Sequence, residues 1–520
     1  MPLLDGFDLP ALAQALGALG ADGWLLYDFR KVNPIAGRIL GDTGMGTRRL
    51  FVLLPRSGRP VAVAHRIELQ ALTDFPGDVR PYGAWRELHE HLAALVRGRT
   101  LAIETSLMDQ VPYLDRVPHG VVQLLESFGA RLVSSAPLVS RFAARWSAAE
   151  LAGHRKAAEA LARIARDTLT WVGSEAARGA ELRETGVKQR VLEALERAGL
   201  WTNDGPIVAF GPTSAIPHYE PHPGADRSLA SGDVVLLDLW AGPGQGSVFA
   251  DQTWMGFRGR SPDADVRRVW QAVKGARDAA VRFLRERWRP DGTVTGAQVD
   301  DAARAVIRDA GLADCFVHRT GHSIDRDLHG SGPHIDNFET EDARALVPGV
   351  GFSIEPGVYL PGRFGMRSEI NVYIDRAGPE VNPPTRRTSS SWFDGPRSEH
   401  CEDQPGPHRR AHRHVGRLEW LGQPQQHHRR GHRHLHGDEG NHVPRTTPPR
   451  AHRPPHEVRQ QGVGEQPVDP MDVLQVVARR DDLAVAKRES EARAGCAQVG
   501  RECAEEDGHE PDPEGPQPGP

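Results

Sequence analysis

The segment GDVVLLDLWAGPGQGSVFADQTWMGF places one carboxylate on each side of a strand, turn, strand unit. Folding this hairpin about Gly244 and Gln245 sets Asp238 and Asp251 opposite each other, with both side chains on one face. Val234, Val235, Leu236 and Leu237 run directly into Asp238, so the pair stands in apolar surroundings. Two unpaired carboxylates held there cost on the order of several kcal/mol unless cations lie between them. A second unit, GFSIEPGVYLPGRFGMRSEINVYI, repeats the device with Glu355 and Glu369 symmetric about Gly362. Between the two lies VHRTGHSIDRDLHGSGPH, a Gly-rich stretch that supplies His318, His322 and His329. Four carboxylates and one imidazole make a hard, oxygen-dominated donor set that suits two divalent ions better than a closed structural zinc.

The rest of the chain is organised around this half. Residues 1–138 alternate helical and strand patterns, with strands expected at GWLLY, RLFVLL, PVAVA and TLAIE, which suggests a small α/β domain without a catalytic cluster. From Ser147 a long amphipathic helix opens with a Ser cap and a Glu three residues on, marking entry to a second domain over 147–392. From 396 to 520 the composition turns to His, Arg, Pro, Gln and Glu without periodic apolar positions, and disorder is expected there. So abrupt a change fits an out-of-frame or fused extension, which the transcript end would test.

A net charge of −5 is too near balance to announce a nucleic-acid or membrane partner. The N-terminal stretch reads as an amphipathic helix without a basic n-region, and no apolar run approaches the roughly 18 residues of a membrane span. With Cys315 the one cysteine before the tail, no disulfide framework is available, and a cytoplasmic location is expected.

The order Asp, Asp, His, Glu, Glu, with GHSI around His322, EPG beginning at Glu355 and RSE ending at Glu369, resembles the metallopeptidase family of methionine aminopeptidase, prolidase and aminopeptidase P. The small α/β domain ahead of the site is similar to the Xaa-Pro-cleaving and creatinase branch, whose catalytic domain is an α+β pita-bread fold. The resemblance implies that Asp238 is a bidentate ligand of one ion, that Asp251 and Glu369 bridge both, and that His322 and Glu355 complete the other. It gives Glu355 a second role as general base, and places His218 and His329 on the substrate and the tetrahedral intermediate. His318, Tyr359 and Arg367 match positions lining the proline pocket, whereas His222 and His334 have no clear counterpart and read as structural or rim residues.

The implied cofactors are two divalent ions, manganese first, with cobalt, iron(II) or zinc as alternatives. The implied substrate is a small peptide with proline at its second position, and the implied assembly is a homodimer or tetramer. A creatinase-like C–N hydrolase and a non-catalytic binding protein are the competing readings. Both are disfavoured by the complete ligand set.

Overall fold

The computed structural model describes residues 3–44 and 46–383, together with the backbone of one strand, Leu418–Leu421. Expectations for the rest of the tail lie outside the described residues.

The first half is built on a six-stranded sheet. Its strands are β1 (Gly23–Phe29), β2 (Arg49–Pro55), β3 (Val61–His65), β4 (Asp78–Tyr82), β5 (Thr100–Ile103) and β6 (Arg131–Ser134), in the order β4-β3-β2-β1-β5-β6. Both faces are covered, and alternation sorts the side chains. Trp24, Leu26, Val52 and Leu54 enter one core, whereas Leu25, Tyr27, Phe51 and Leu53 enter the other. The four expected strands are present within two residues of their anticipated ends, the expected N-terminal helix forms as Leu9–Leu19, and a further helix, Trp85–Val96, precedes β5. The short strands β4 and β6 and the helices Pro34–Leu40 and His119–Ser127 were not anticipated.

The second half opens with the helix Ala148–Ala177, whose expected capping box forms: Glu150 N donates to Ser147 Oγ at 3.2 Å, and Ser147 N to Glu150 Oε2 at 2.8 Å. Arg38 from the first half donates to both oxygens of the same Glu150, at 2.5 and 2.7 Å, so the cap also ties the two halves together.

Strands β7 (Ile207–Phe210), β8 (Val234–Ala241) and β9 (Ala250–Arg258) form an antiparallel sheet, with β16 (Leu418–Leu421) on its edge beside β9. A second antiparallel sheet has the order β10-β11-β14-β15, from β10 (Ser323–Ile324), β11 (Gly351–Ile354), β14 (Ile370–Asp375) and β15 (Gly378–Asn382). The hairpin β12 (Gly357–Leu360) to β13 (Phe364–Arg367) lies between its strands in sequence.

Period-2 alternation decides where the acids point. On β8, Val235, Leu237 and Leu239 pack against the helices Ala148–Ala177 and Glu184–Arg197. Val234 and Leu236 turn the opposite way, into the core shared with the helix Ala264–Arg287 and the second sheet. Asp238 continues this second row, and Asp251 and Thr253 continue the row of Met255 and Phe257 on β9. Among the described residues, no helix is long and apolar enough to cross a membrane.

Candidate metal centre and active site

The β8–β9 register corrects one expectation. Asp238 lies opposite Thr253, and Asp251 lies opposite Trp240, so the two acids are diagonal neighbours on one face and not a facing pair. The cause is the turn. Ser247 N donates to Gly244 O at 3.1 Å and Gly246 takes φ 72°, which centres the reversal one residue beyond the Gly244–Gln245 step. The second hairpin keeps its expected symmetry. Ile354 pairs with Ile370 and Gly357 with Arg367, and both registers place Glu355 opposite Glu369.

All five candidate ligands, Asp238, Asp251, His322, Glu355 and Glu369, line one cavity of 620 Å³. Ligand atoms of Asp251, His322 and Glu369 lie within 4.8 Å of one another, and all three residues are buried. His322 reaches the cluster from a loop that passes tightly beneath β11. A Cβ on the preceding Gly321 would stand 2.0 Å from Ser353 O, so only glycine allows the approach.

His322 Nδ1 lies 3.1 Å from Ser323 O, and because a carbonyl only accepts, that nitrogen carries the ring proton. Its bare Nε2 therefore faces Asp251 Oδ2 at 3.4 Å and Glu355 Oε1 at 3.3 Å, lone pair against lone pair. Asp238 Oδ1 and Asp251 Oδ1 are buried without a hydrogen-bond partner. Such an arrangement lacks positive charge at its centre, and hard oxygen donors with one imidazole fit divalent cations there.

The electrostatics agree. Burial, then the charges of Asp238 and Glu355, holds Asp251 well above the usual carboxylate range. Burial, then Asp251 and Glu355, does the same to Glu369. Burial pushes Glu355 up to about 7, against the lowering effect of Arg367. His322 is held well below its ordinary value by burial and by the neighbouring His329, which keeps its ring neutral and able to ligate.

Arg367, expected in the proline pocket, and three residues that were not anticipated, Thr253, Asn371 and Ser353, hold the acids in place. Arg367 Nη2 donates to Asp238 Oδ2 at 2.6 Å and its Nε to Thr253 Oγ1 at 3.0 Å, and Thr253 Oγ1 donates to Glu369 Oε2 at 2.9 Å. Asn371 brackets the Asp251 backbone, accepting from its N–H at 2.9 Å and donating to its carbonyl at 2.7 Å. Ser353 Oγ accepts from His322 N at 2.9 Å and donates to Glu355 Oε1 at 3.1 Å. Thr253 and Ser353 each stand two residues from an acid on the same strand face, a signal that alternation offered.

Of the other site candidates, His218, His318, His329 and Arg367 line the cavity. Tyr359 stands behind it, its hydroxyl accepting from Arg367 Nη1 at 2.8 Å and donating to His318 Nε2 at 2.8 Å. His318 Nδ1 donates to Arg319 O at 2.7 Å, so Arg367, Tyr359 and His318 form one continuous chain of donors. Burial lowers His318 to about 3 and His329 to about 4, leaving both rings neutral at physiological pH. The His329 ring centre lies 4.2 Å from that of His322. His334 is fully buried with Nδ1 accepting from Ser323 N at 3.1 Å, a structural placement, and His222 is exposed.

Residues 152–376 match the family described as metallopeptidase family M24. This chain belongs to that family, and its second half has the pita-bread fold of those enzymes. It is similar to the "Probable dipeptidase PepE" of Mycobacterium bovis, with 33% identity over 354 residues covering 65% of this chain and 85% of the relative. It is 32% identical over 181 residues to the Xaa-Pro dipeptidase of Pyrococcus furiosus, which covers 35% of this chain and 47% of that one. Among solved structures, dipeptidase PepE from Mycobacterium ulcerans matches with a TM-score of 0.56 and 30% identity, covering 72% of this chain and 94% of that chain. The relatives are hydrolases that act on peptides, and the chain is a metallopeptidase of a family dependent on divalent metal.

Proposed function

We propose that the chain hydrolyses the Xaa-Pro bond of dipeptides or peptide N-termini, using two divalent ions, manganese first, held by Asp238, Asp251, His322, Glu355 and Glu369. The observation that carries this is the bare Nε2 of His322 facing two carboxylates, beside the partnerless oxygens of Asp238 and Asp251. Support for the Xaa-Pro bond comes from the similarity to the Xaa-Pro dipeptidase of Pyrococcus furiosus. Residues 1–138 are read as the accessory α/β domain and 147–392 as the catalytic one, in a cytoplasmic homo-oligomer.

When bound, divalent ions polarise a carbonyl oxygen and make water acidic enough to act as a nucleophile near neutral pH. The chain's own groups do the rest. Glu355, with its pKa near 7 and its Oε1 fixed by Ser353, accepts the proton of the attacking water and returns it to the leaving amine. His218 and His329 border the same cavity and steady the developing oxyanion, a role whose loss typically costs about 10²- to 10³-fold in rate. His318, with both ring nitrogens already engaged, presents ring surface to the pyrrolidine, and Tyr359 holds that ring from behind the cavity.

The test is hydrolysis of an Xaa-Pro dipeptide, an Xaa-Pro-Xaa tripeptide and a dipeptide without proline, each with and without manganese. Manganese-dependent cleavage confined to the proline substrates is expected. Failure of metal-loaded protein to cleave any proline substrate would overturn the assignment.

A further inference from the structure

We propose that Glu184 is the positioning residue for His218, holding the loop 211–219 so that the imidazole stays in the cavity. This rests on the peptidase reading above, which sets His218 on the developing oxyanion, and names what keeps it there.

His218 lines the cavity with an exposed side chain, and among the described residues its ring makes no hydrogen bond. Its place is therefore set by the residues on either side. Before it, Pro217 O accepts from Arg367 Nη1 at 3.3 Å. After it, the Tyr219 hydroxyl donates to Glu184 Oε2 at 2.7 Å.

Glu184 opens the helix Glu184–Arg197 and is fully buried. Its carboxylate collects four donors, all from residues 210–227. Oε1 accepts from Phe210 N at 2.8 Å and from the Thr213 hydroxyl, and Oε2 accepts from Arg227 N at 2.8 Å besides Tyr219. One side chain thus ties together the end of β7, the turn Gly211–Ala215, the residue after His218 and the exit of the loop. A carboxylate buried without a cation is costly unless hydrogen bonds fill both oxygens. A glutamine there has a single acceptor oxygen and turns its NH2 against two of the donors.

Burial, then the hydrogen bond to Glu184, raises the Tyr219 hydroxyl well above its ordinary value, so its proton stays on the oxygen and points at Glu184. The turn is also fixed against β13, where Ser214 Oγ accepts from Gly365 N at 2.8 Å. A Cβ on Gly365 would stand 2.1 Å from Ser214 O, so the two backbones touch. The loop is held at Ser214 by β13, at Pro217 by Arg367 and at Tyr219 by Glu184, and His218 falls between the last two in sequence.

The experiment follows Ala-Pro hydrolysis by the manganese-loaded full chain as wild type, Tyr219→Phe, Glu184→Gln, His218→Ala and the double variant Tyr219→Phe with His218→Ala. Tyr219→Phe removes one hydroxyl and leaves Glu184 its other donors. It should lower kcat about five- to tenfold with KM changed less than about twofold, and Glu184→Gln should lower kcat further. In the His218→Ala background Tyr219→Phe should cost nothing more, because the loop then has no imidazole to place. A hydroxyl that is merely structural, or that touches substrate itself, lowers kcat by the same factor in both backgrounds, which overturns the inference while leaving the peptidase reading intact. So does full kcat in Tyr219→Phe, a result that stands even if Glu184→Gln does not fold. If wild type cleaves no proline substrate, the peptidase reading falls, and histidine ring 13C relaxation decides the positioning by itself. The His218 signal, identified by its absence in His218→Ala, should be ordered in wild type and mobile in Tyr219→Phe, and equal order in the two overturns the inference.

Discussion

Arg367 and Asp238 are joined at 2.6 Å, Nη2 to Oδ2, inside a cavity where acids otherwise crowd one another. Burial works against the arginine's charge, yet Tyr359, Asp238, Glu355 and Glu369 more than offset it, so Arg367 stays cationic. One oxygen of Asp238 is thereby fixed by protein, while Oδ1 is left without a partner in the cavity. The guanidinium thus orients the acid instead of competing for all of it.

Replacing Arg367 with Met therefore leaves Asp238 buried and uncompensated, and the expected loss is about 3–5 kcal/mol of stability. Arg367→Lys keeps the charge but cannot span Asp238, Thr253 and Tyr359 together. It should retain most of the stability and lose about ten- to a hundredfold in kcat. Urea unfolding and steady-state kinetics separate the two variants, and a fully active Arg367→Met would refute the orienting role.

Glu104 leads to a prediction far from the cavity. It is fully buried at the end of β5, accepting from Trp24 Nε1 at 2.5 Å, Asn33 Nδ2 at 3.2 Å and Ser135 Oγ at 3.3 Å. Burial outweighs these donors and pushes its pKa up from 4.5 to about 7. The folded state therefore holds a proton that the unfolded chain releases first. Its contribution is complete below pH 4.5 and is lost as pH rises through 7, by on the order of 3 kcal/mol in all. In metal-saturated protein, the unfolding free energy should decline between pH 5 and 8, and Glu104→Gln should flatten that decline. An unchanged slope in the variant would assign the effect elsewhere.

The candidate ligands were legible in the sequence because each sits in a strand or tight loop where local rules apply. Alternation put Asp238 in the row of Val234 and Leu236, and the symmetry of Glu355 and Glu369 about Gly362 survived folding. The facing of Asp238 and Asp251 did not, because the reversal closes over Gly244–Ser247 and shifts the register by a single step. What supports the acids was less visible, since it depends on contacts made only by the folded chain. Asn371 reaches the Asp251 backbone across 120 residues of sequence, and Tyr113 reaches Arg319 across 206. No local pattern encodes such pairs. The short strands β4 and β6 escaped notice for a related reason, because only pairing with β3 and β5 gives them a pattern to read.

Thr253 offers the sharpest separation of support from ligation. Its hydroxyl accepts from Arg367 Nε at 3.0 Å and donates to Glu369 Oε2 at 2.9 Å, so one proton direction links the arginine that holds Asp238 to an acid on the far sheet. Thr253→Val keeps the shape and removes both hydrogen bonds, leaving every candidate ligand in place. The expected result is metal binding weakened about ten- to a hundredfold. Tenfold weaker binding corresponds to about 1.4 kcal/mol less stabilisation at a fixed excess of metal. Calorimetric titration of chelator-treated protein with manganese reads the affinity directly, and the rise in Tm on adding metal reads it independently of catalysis. Wild-type affinity in Thr253→Val would mean that Glu369 is positioned without the help of the Thr253 hydroxyl.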